Sequence, residues 1–191
     1  MEMSRPKRAT YDDLRAVPDC MIAQIIDGEL AVMPRPASPH ALASSAIGSA
    51  LFERFHGPPG GASAPGGWII LYEPELHLGD DVLVPDLAGW RRRRMPTVPE
   101  VAAFTLPPDW VGEVLSPDSV GWDRVRKMRI WAREGVGHVW IVDPLARTLE
   151  VYRLAAGRWV VAGTHAGPEP VRAEPFEAVA LAAHRWWREE E

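Results

Sequence analysis

The chain has a single cysteine and lacks the long apolar runs that mark membrane-spanning proteins. Because Cys20 stands alone, an intrachain disulfide and a zinc site built from several cysteines are both excluded. No apolar run reaches the roughly 18 residues that a membrane-spanning helix needs, and the first residues contain no apolar signal-peptide core. We therefore expect a cytoplasmic protein with no membrane partner.

The sequence also lacks a net positive charge, since its formal charge is −5 at pH 7. This balance argues against a protein that coats nucleic acid without specificity, but not against a nuclease whose basic residues are local. With 191 residues, 47% of them hydrophobic and 25% charged, the chain is ordinary for one soluble domain, predicted over residues 1–191. The nine tryptophans show no regular spacing, so we interpret them as core or interface anchors.

Hydrophobic periodicity predicts an α/β fold with a mixed sheet flanked by helices. The predicted strands are, in chain order, residues 21–26, 29–33, 68–78, 82–90, 110–115, 138–142, 148–154 and 158–162. One strand–helix–strand crossover, between Glu113 and Trp140, implies a helix packed on this sheet. The core is predicted over about residues 20–154, and residues 155–191 are interpreted as a β-rich closing segment and tail.

Three helices are predicted from their capping residues. A short helix follows Thr10, with Asp13 at the capping-box position. A long amphipathic helix over residues 40–55 follows Ser38 as N-cap. The segment Ser116-Pro117-Asp118-Ser119 caps a third helix, which ends at about Glu134 before a glycine.

Two carboxylates lie within predicted apolar strands, Asp86 in residues 82–90 and Glu113 in residues 110–115. Burial of an acid is costly unless it is paired or bound to a metal. Because adjacent strands run about 4.8 Å apart, two such acids can converge on one cation. For each acid alone, a solvent-facing residue at a strand end is the alternative.

The predicted third helix places Asp123 and Lys127 on one face, four residues apart. An ordinary salt bridge on a solvated face is one interpretation, and it suits the neighbouring arginines 126, 129 and 133 well. It suits Lys127 less well, because Lys127 shares its face with the apolar Ile130 and Trp131.

Several motifs together resemble a known family. They are residues 24–30, Val84-Pro85-Asp86, residues 112–117, Asp123 with Lys127, and residues 135–144. In order and spacing, over roughly residues 10–154, they resemble the Uma-type bacterial restriction-endonuclease family of the PD-(D/E)xK nuclease superfamily. The resemblance implies a restriction-endonuclease-like mixed β-sheet flanked by helices, here with extra β-hairpins. It also implies metal-dependent phosphodiester hydrolysis, with Mg²⁺ or Mn²⁺ as cofactor and DNA as substrate.

The same resemblance assigns roles to individual residues. Asp86 and Glu113 match the metal-binding acids, and Lys127 matches the catalytic lysine, because Leu115 occupies the position where a lysine is usual. The candidates for supporting or substrate-contacting roles are Gln24, Glu29, His40 and Asp123. Gln24 departs from the family pattern, which often has a glutamate there. The chemistry is consistent, since Mg²⁺ takes oxygen ligands and an ammonium stabilises charge that develops on a phosphate.

Other interpretations remain open from the sequence alone. His40 and His138 could be zinc ligands, but no third partner has a diagnostic spacing. The run of arginines 91–94 could contact phosphates, although a solvated loop is more typical. We expect a homodimer, because cleavage of a duplex requires two cuts and two-fold symmetry presents two sites. The rival functions are a catalytically idle module that binds nucleic acid or protein, and a structural subunit with no nucleic-acid role.

Overall fold

The structure is a computed structural model that describes residues 8–60, 64–117, 119 and 121–188. Within these residues ten strands form two sheets. The strands are β1 (Met21–Ile26), β2 (Glu29–Pro34), β3 (Trp68–Tyr72), β4 (Leu76–Leu78), β5 (Asp81–Leu83), β6 (Leu87–Arg91), β7 (Trp110–Val114), β8 (His138–Asp143), β9 (Thr148–Ala155) and β10 (Arg158–Ala166). The helices are α1 (Tyr11–Arg15), α2 (Ser38–Phe55), a π-helix (Trp122–Lys127) that continues into α3 (Met128–Arg133), and a short 3₁₀-helix (Ala183–Arg185).

A four-stranded antiparallel sheet has the order β2-β1-β5-β4, and a six-stranded sheet has the order β10-β9-β8-β7-β6-β3. In the larger sheet β7 and β8 are parallel, whereas the other neighbours are antiparallel. The segment that joins β7 to β8 contains the π-helix and α3. The predicted mixed sheet and its single strand–helix–strand crossover are therefore confirmed.

Prolines divide two segments that the sequence pattern predicts as single strands. Residues 68–78 break at Pro74, so that β3 joins the larger sheet and β4 the smaller one. Residues 82–90 break at Pro85 in the same way, between β5 and β6. Proline has no N–H to donate to a sheet and is excluded from strand interiors. The prediction that Asp86 lies inside a strand is therefore wrong, because Asp86 occupies the bend that follows Pro85.

The predicted N-cap of α1 is confirmed, whereas that of α2 is wrong. The capping box of α1 is confirmed, since the Thr10 N–H donates to Asp13 Oδ2 at 2.8 Å and the Asp13 N–H donates to Thr10 Oγ1 at 3.3 Å. The N-cap of α2 is Ala37 rather than Ser38, and no side chain among the described residues caps it.

The third helical segment is described from Trp122, later than predicted, with Gly121 as its N-cap, and no described side chain caps it. The Ser119 hydroxyl instead accepts a hydrogen bond from the Ser116 N–H at 3.1 Å. Asp118, part of the predicted cap, lies outside the described residues. The C-terminal prediction holds, because Gly135 follows the helix with a φ of +73° and its N–H donates to the Ala132 carbonyl at 3.2 Å.

Hydrophobic clusters cover both faces of the six-stranded sheet. On one face α2 packs with residues 171–187, and the buried aromatic side chains include Trp68, Trp110, Trp140, Phe176 and Trp186. On the other face α3 and residues of the smaller sheet enclose the second cluster, which includes Trp90 and Trp131. Along β7 the side chains alternate between the two faces, which places Glu113 on the α3 side with Val111. No helix in the described part of the chain has the length and apolar character needed to cross a membrane.

Candidate active site

A cavity of about 230 Å³ lies where the two sheets meet. Its walls come from β1, the connection between β2 and α2, the bend before β6, the end of β7 and the π-helix. Most of the side chains that the sequence singled out line it: Gln24, His40, Asp86, Glu113, Asp123 and Lys127. These segments are far apart in sequence, so the fold is what brings the side chains together.

Glu113 is the most buried acid of the cavity, with 1% of its surface exposed. Its two carboxylate oxygens, Oε1 and Oε2, lie 3.3 and 3.2 Å from Lys127 Nζ. Burial raises the pKa of Glu113 well above its usual value, and the charges of Asp123 and Asp86 add to this rise, while Lys127 opposes it. Glu113 therefore retains a cost of ionisation that another nearby cation would reduce.

Lys127 is enclosed by the same cluster, with only 3% of its side chain exposed. Its Nζ lies 2.8 Å from Asp123 Oδ1, one helical turn earlier in the π-helix. Burial alone would lower the pKa of Lys127, but the charges of Asp123, Glu113 and Asp86 outweigh burial and raise it. The lysine is therefore an ammonium that faces three acids. Its pair with Asp123 is buried, so the alternative of an ordinary salt bridge on a solvated helix face does not hold for Lys127.

Asp86 connects the bend before β6 to β7. Its Oδ2 accepts a hydrogen bond from the Val114 N–H at 2.7 Å, and its Oδ1 lies 3.0 Å from His40 Nε2. These bonds fix the carboxylate beside the end of β7, where Val114 directly follows Glu113. Each carboxylate oxygen has two lone-pair directions, so both oxygens retain capacity for a further partner.

His40 lies in the first turn of α2 and is buried. Burial lowers its pKa, but the hydrogen bond and the charge of Asp86, aided by the charges of Asp123 and Glu73, more than compensate and raise the pKa overall. Within the described residues the second ring nitrogen, Nδ1, has no hydrogen-bond partner. His40 therefore holds Asp86 in place from the helix side.

Gln24 and Glu29 belong to the same hairpin but have separate surroundings. The Gln24 Oε1 accepts a hydrogen bond from the Val84 N–H at 2.9 Å, which ties β1 to the bend that carries Asp86. Glu29 does not line the cavity, because its Oε2 lies 2.6 Å from Arg126 Nη1. The hydrogen bond from Arg126 lowers the pKa of Glu29. The structure thus brings Gln24 to the site and leaves Glu29 outside it.

Sequence reasoning missed one acid of the cavity, Glu73. Its N–H donates to the backbone carbonyl of Asp86 at 3.1 Å, and its φ of +43° is unusual for a residue other than glycine. The signal that could have revealed it is Pro74, which ends β3 and turns the chain at Glu73.

The alternatives based on histidine and arginine gain no support. His138 Nε2 lies 3.2 Å from Glu174 Oε2, and His138 does not line the cavity that contains His40. In the run 91–94, Arg91 lies over the Trp68 ring at 4.2 Å and Arg94 pairs with Asp109 at 3.1 Å. None of these arginines lines the cavity.

The cavity contains the type of ligand that a hard divalent cation prefers, namely carboxylate oxygens. Asp86 and Glu113 supply carboxylate oxygens to one cavity, where, among the described residues, one ammonium faces three acids. Across the described ranges, no three His, Cys, Asp or Glu side chains are grouped so that they could hold a metal together. This is compatible with Mg²⁺, which usually takes one or two carboxylates and keeps several waters.

Comparisons with known proteins give a family and a fold. The model of the family Uma2, described as "Putative restriction endonuclease", matches residues 9–184. Among solved structures, a crystal structure of "a putative nuclease belonging to DUF820 from Anabaena variabilis ATCC 29413" is 21% identical and superposes with a TM-score of 0.71, over 93% of this chain and 97% of that chain. At this identity the likeness shows the fold alone. No curated protein matches the chain.

Proposed function

Since the chain belongs to the Uma2 family, whose model matches residues 9–184, we propose that it is a metal-dependent nuclease that hydrolyses phosphodiester bonds in DNA. The observation that supports this proposal is the cavity that gathers Asp86, Glu113 and Lys127 from three separate segments. Paired acids and a lysine are the residue types that this reaction needs, because the acids hold a cation and the lysine offsets phosphate charge.

In this proposal Asp86 and Glu113 hold Mg²⁺ or Mn²⁺. When bound there, the cation would polarise the phosphate and lower the pKa of a bound water. The surplus of carboxylates over ammonium groups favours such binding, because a further positive charge would offset the raised pKa of Glu113. His40 orients Asp86 through the 3.0 Å contact between Nε2 and Oδ1.

Lys127 is proposed to stabilise negative charge on the phosphate. Its ammonium contacts both Glu113 and Asp123, at 3.2 and 2.8 Å. Asp123 can therefore keep the ammonium beside the cavity while Glu113 serves as a metal ligand. Asp123 is thus a positioning residue, and the π-helix places both partners on the inner side.

The proposal is tested by cleavage assays on supercoiled, linear and single-stranded DNA with Mg²⁺ and with Mn²⁺. We expect metal-dependent cleavage by the natural chain, and none by Asp86→Asn or Glu113→Gln. Titration calorimetry should show metal binding that is weakened in Asp86→Asn. Arg158→Ala, which changes an exposed residue of β10, is the control for nonspecific loss. A natural chain that binds neither metal ion and cleaves none of the DNA forms would refute the proposal.

A second candidate is a nuclease-like module that binds nucleic acid or protein without cleaving. The observation that favours it is the buried contact of Lys127 with Glu113, which already gives this acid a cationic partner. This candidate predicts DNA binding that is indifferent to Mg²⁺, and no calorimetric signal for the metal. Calorimetric titration with the metal ion therefore distinguishes the two functions.

We further propose that the nuclease acts as a homodimer, because a duplex presents two strands and two-fold symmetry provides two sites. Light scattering at micromolar concentration tests this, and a monomeric mass would overturn it.

A further inference from the structure

The acidic side chains of the cavity would repel the substrate proposed above. Among the described residues four carboxylates line it, those of Glu73, Asp86, Glu113 and Asp123. A phosphodiester is itself an anion, so cations are needed at the entrance as well as at the centre. Lys127 is enclosed, with 3% of its side chain exposed, and two carboxylates contact it. In the part of the lining that the structure describes, the remaining residue with a permanent positive charge is Arg35.

Arg35 lies in the segment Pro34-Arg35-Pro36, which connects β2 to α2. Its side chain is exposed, and its Nη2 donates to the Asp19 carbonyl at 3.3 Å. Across the described parts of the chain no carboxylate pairs with it, so most of its five N–H donors are available. The following proline also restricts the backbone of Arg35, which reduces the entropy lost when the side chain binds.

Other arginines near the site differ in this respect. Arg126 pairs with Glu29, and Arg133 pairs with Asp81 and Glu134. Their charges are already offset by neighbouring carboxylates. Arg35 is thus set apart by its position in the lining and by its lack of an acidic partner among the described residues.

A second hollow of about 590 Å³ adjoins the cavity. The two hollows share Met21, Ala23 and Arg35 in their linings, so Arg35 lies on the border between them. Arg15 also lines the second hollow; it is exposed, and within the described residues no carboxylate pairs with it. A strand that leaves the cavity past Arg35 would therefore meet a second cation.

We propose that Arg35 binds a backbone phosphate of the DNA strand that enters the cavity, and that Arg15 binds a neighbouring phosphate in the adjoining hollow. This rests on the proposed nuclease function. The guanidinium matches the geometry of a phosphate, because two parallel N–H groups can donate to two oxygens. Contacts of this kind fix the register of the strand and carry no sequence information. Arg35 is thus a positioning residue for the substrate.

The test measures DNA binding apart from cleavage. Fluorescence anisotropy of a fluorescein-labelled single-stranded oligonucleotide is recorded with Ca²⁺, a hard cation with oxygen ligands like Mg²⁺, and a gel verifies that the DNA stays intact. Arg35→Ala should weaken binding by about tenfold or more, as loss of a charge-assisted contact does. Its slope of log K against log salt should become shallower by about 0.7, the value for one phosphate contact on a single strand.

Matched variants separate this role from a structural one. Arg35→Lys keeps the charge but loses the paired donors, so it should fall between Arg35→Ala and the natural chain. Arg15→Ala should show a smaller loss. Arg158→Ala, which changes an exposed residue of β10 that lines neither hollow, should show none. The melting temperatures should all agree, because the bond that Arg35 makes within the described residues is a single one of 3.3 Å to a carbonyl. A purely structural role would change melting and leave the salt slope unaltered.

The outcomes distinguish this inference from the function on which it rests. If the natural chain binds and cleaves DNA but Arg35→Ala has the same affinity and salt slope, the inference alone is overturned. If the natural chain neither binds nor cleaves DNA, both fail together. A parallel loss in Arg35→Ala and Arg158→Ala would also count against it, because the effect would then be one of overall charge.

Discussion

Arg126 and Lys127 are neighbours in sequence and each pairs with a glutamate, yet the two pairs have opposite surroundings. The Arg126–Glu29 contact is shorter, at 2.6 Å, but the two side chains are 29% and 60% exposed. The Lys127–Glu113 contact is 3.2 Å, and these side chains are 3% and 2% exposed. The contact distance therefore does not indicate which of the two pairs interacts more strongly. Water screens the surface pair, whereas the buried pair interacts in a medium of low dielectric constant.

Removal of the buried cation should have the largest effect. Lys127→Met would leave the carboxylates of Glu113 and Asp123 buried without their ammonium, so the free energy of unfolding should fall by about 3–5 kcal/mol. Urea denaturation near neutral pH measures this change. Adding Glu113→Gln and Asp123→Asn should recover much of the loss, because the two acids that contacted the ammonium are then neutral. If Lys127→Met is as stable as the natural chain, the buried cluster is not charged as described.

The second largest effect is expected on DNA cleavage by the same variant, Lys127→Met. Counted per folded molecule, Lys127→Met should cleave DNA about a hundredfold more slowly or worse, as loss of one transition-state contact does. Adding Leu115→Lys should restore part of the rate, because it returns an ammonium from the end of β7. Asp86→Asn gives the background of the assay. Cleavage by Lys127→Met at the natural rate would show that the lysine is only structural.

The pair of His138 and Glu174 is intermediate in burial between these two, with side chains 20% and 35% exposed. Its effect on stability can be measured through the dependence of stability on pH. Burial lowers the pKa of His138, and the charges of Arg91 and Arg153 act in the same direction, against the hydrogen bond to Glu174. Because the folded pKa lies below the unfolded one, the unfolded chain binds more protons in that interval, and stability is lost as the pH falls below about 6.5.

The variant His138→Gln removes this titration. Between about pH 7.5 and about pH 5.5, the melting temperature of the natural chain should therefore decline further than that of the variant, by at most a few degrees. Scanning calorimetry in buffers of equal ionic strength measures the difference. Parallel curves for the two proteins would show that the pKa of His138 does not change on folding.

The smallest effect is expected at the surface pair. Arg126→Ala should leave the melting temperature and the cleavage rate close to those of the natural chain, because water solvates the Glu29 carboxylate that remains. Calorimetry and the cleavage assay are again the measurements. A loss comparable to that of Lys127→Met would mean that the exposed pair matters as much as the buried one, and the comparison would then fail.

Much of this arrangement could be predicted from the sequence, and its limits have physical causes. Periodicity predicted the crossover, and the resemblance to the family implied which acids and which lysine belong to one site. The bends at Glu73 and Asp86 were missed, because apolar runs on both sides hid the effect of Pro74 and Pro85. Those prolines transfer the chain from one sheet to the other.

The burial of Lys127 could not be predicted from its spacing to Asp123. A separation of four residues fits an exposed α-helical pair as well as a buried one. Here the segment is π-helical, and it directs both side chains inward towards Glu113. Which of these applies depends on the strand that packs against the helix, and that is a property of the tertiary fold.

The bond from Val84 to Gln24 also has a consequence for the order of folding. It joins residues 60 positions apart, whereas Lys127 and Glu113 are 14 apart. Closure of a longer loop costs more chain entropy, and contacts between distant residues form more slowly. The acid–lysine pair should therefore assemble before the hairpin of β1 and β2 closes over it. The Val114 amide, which donates to Asp86 28 residues away, should likewise become protected in pulsed hydrogen exchange before the Val84 amide, whose acceptor Gln24 is 60 residues away. A chain arrested between these stages would contain the acid–lysine pair without the cavity walls that β1 and β2 supply, so the proposed hydrolytic activity would be the last property acquired during folding.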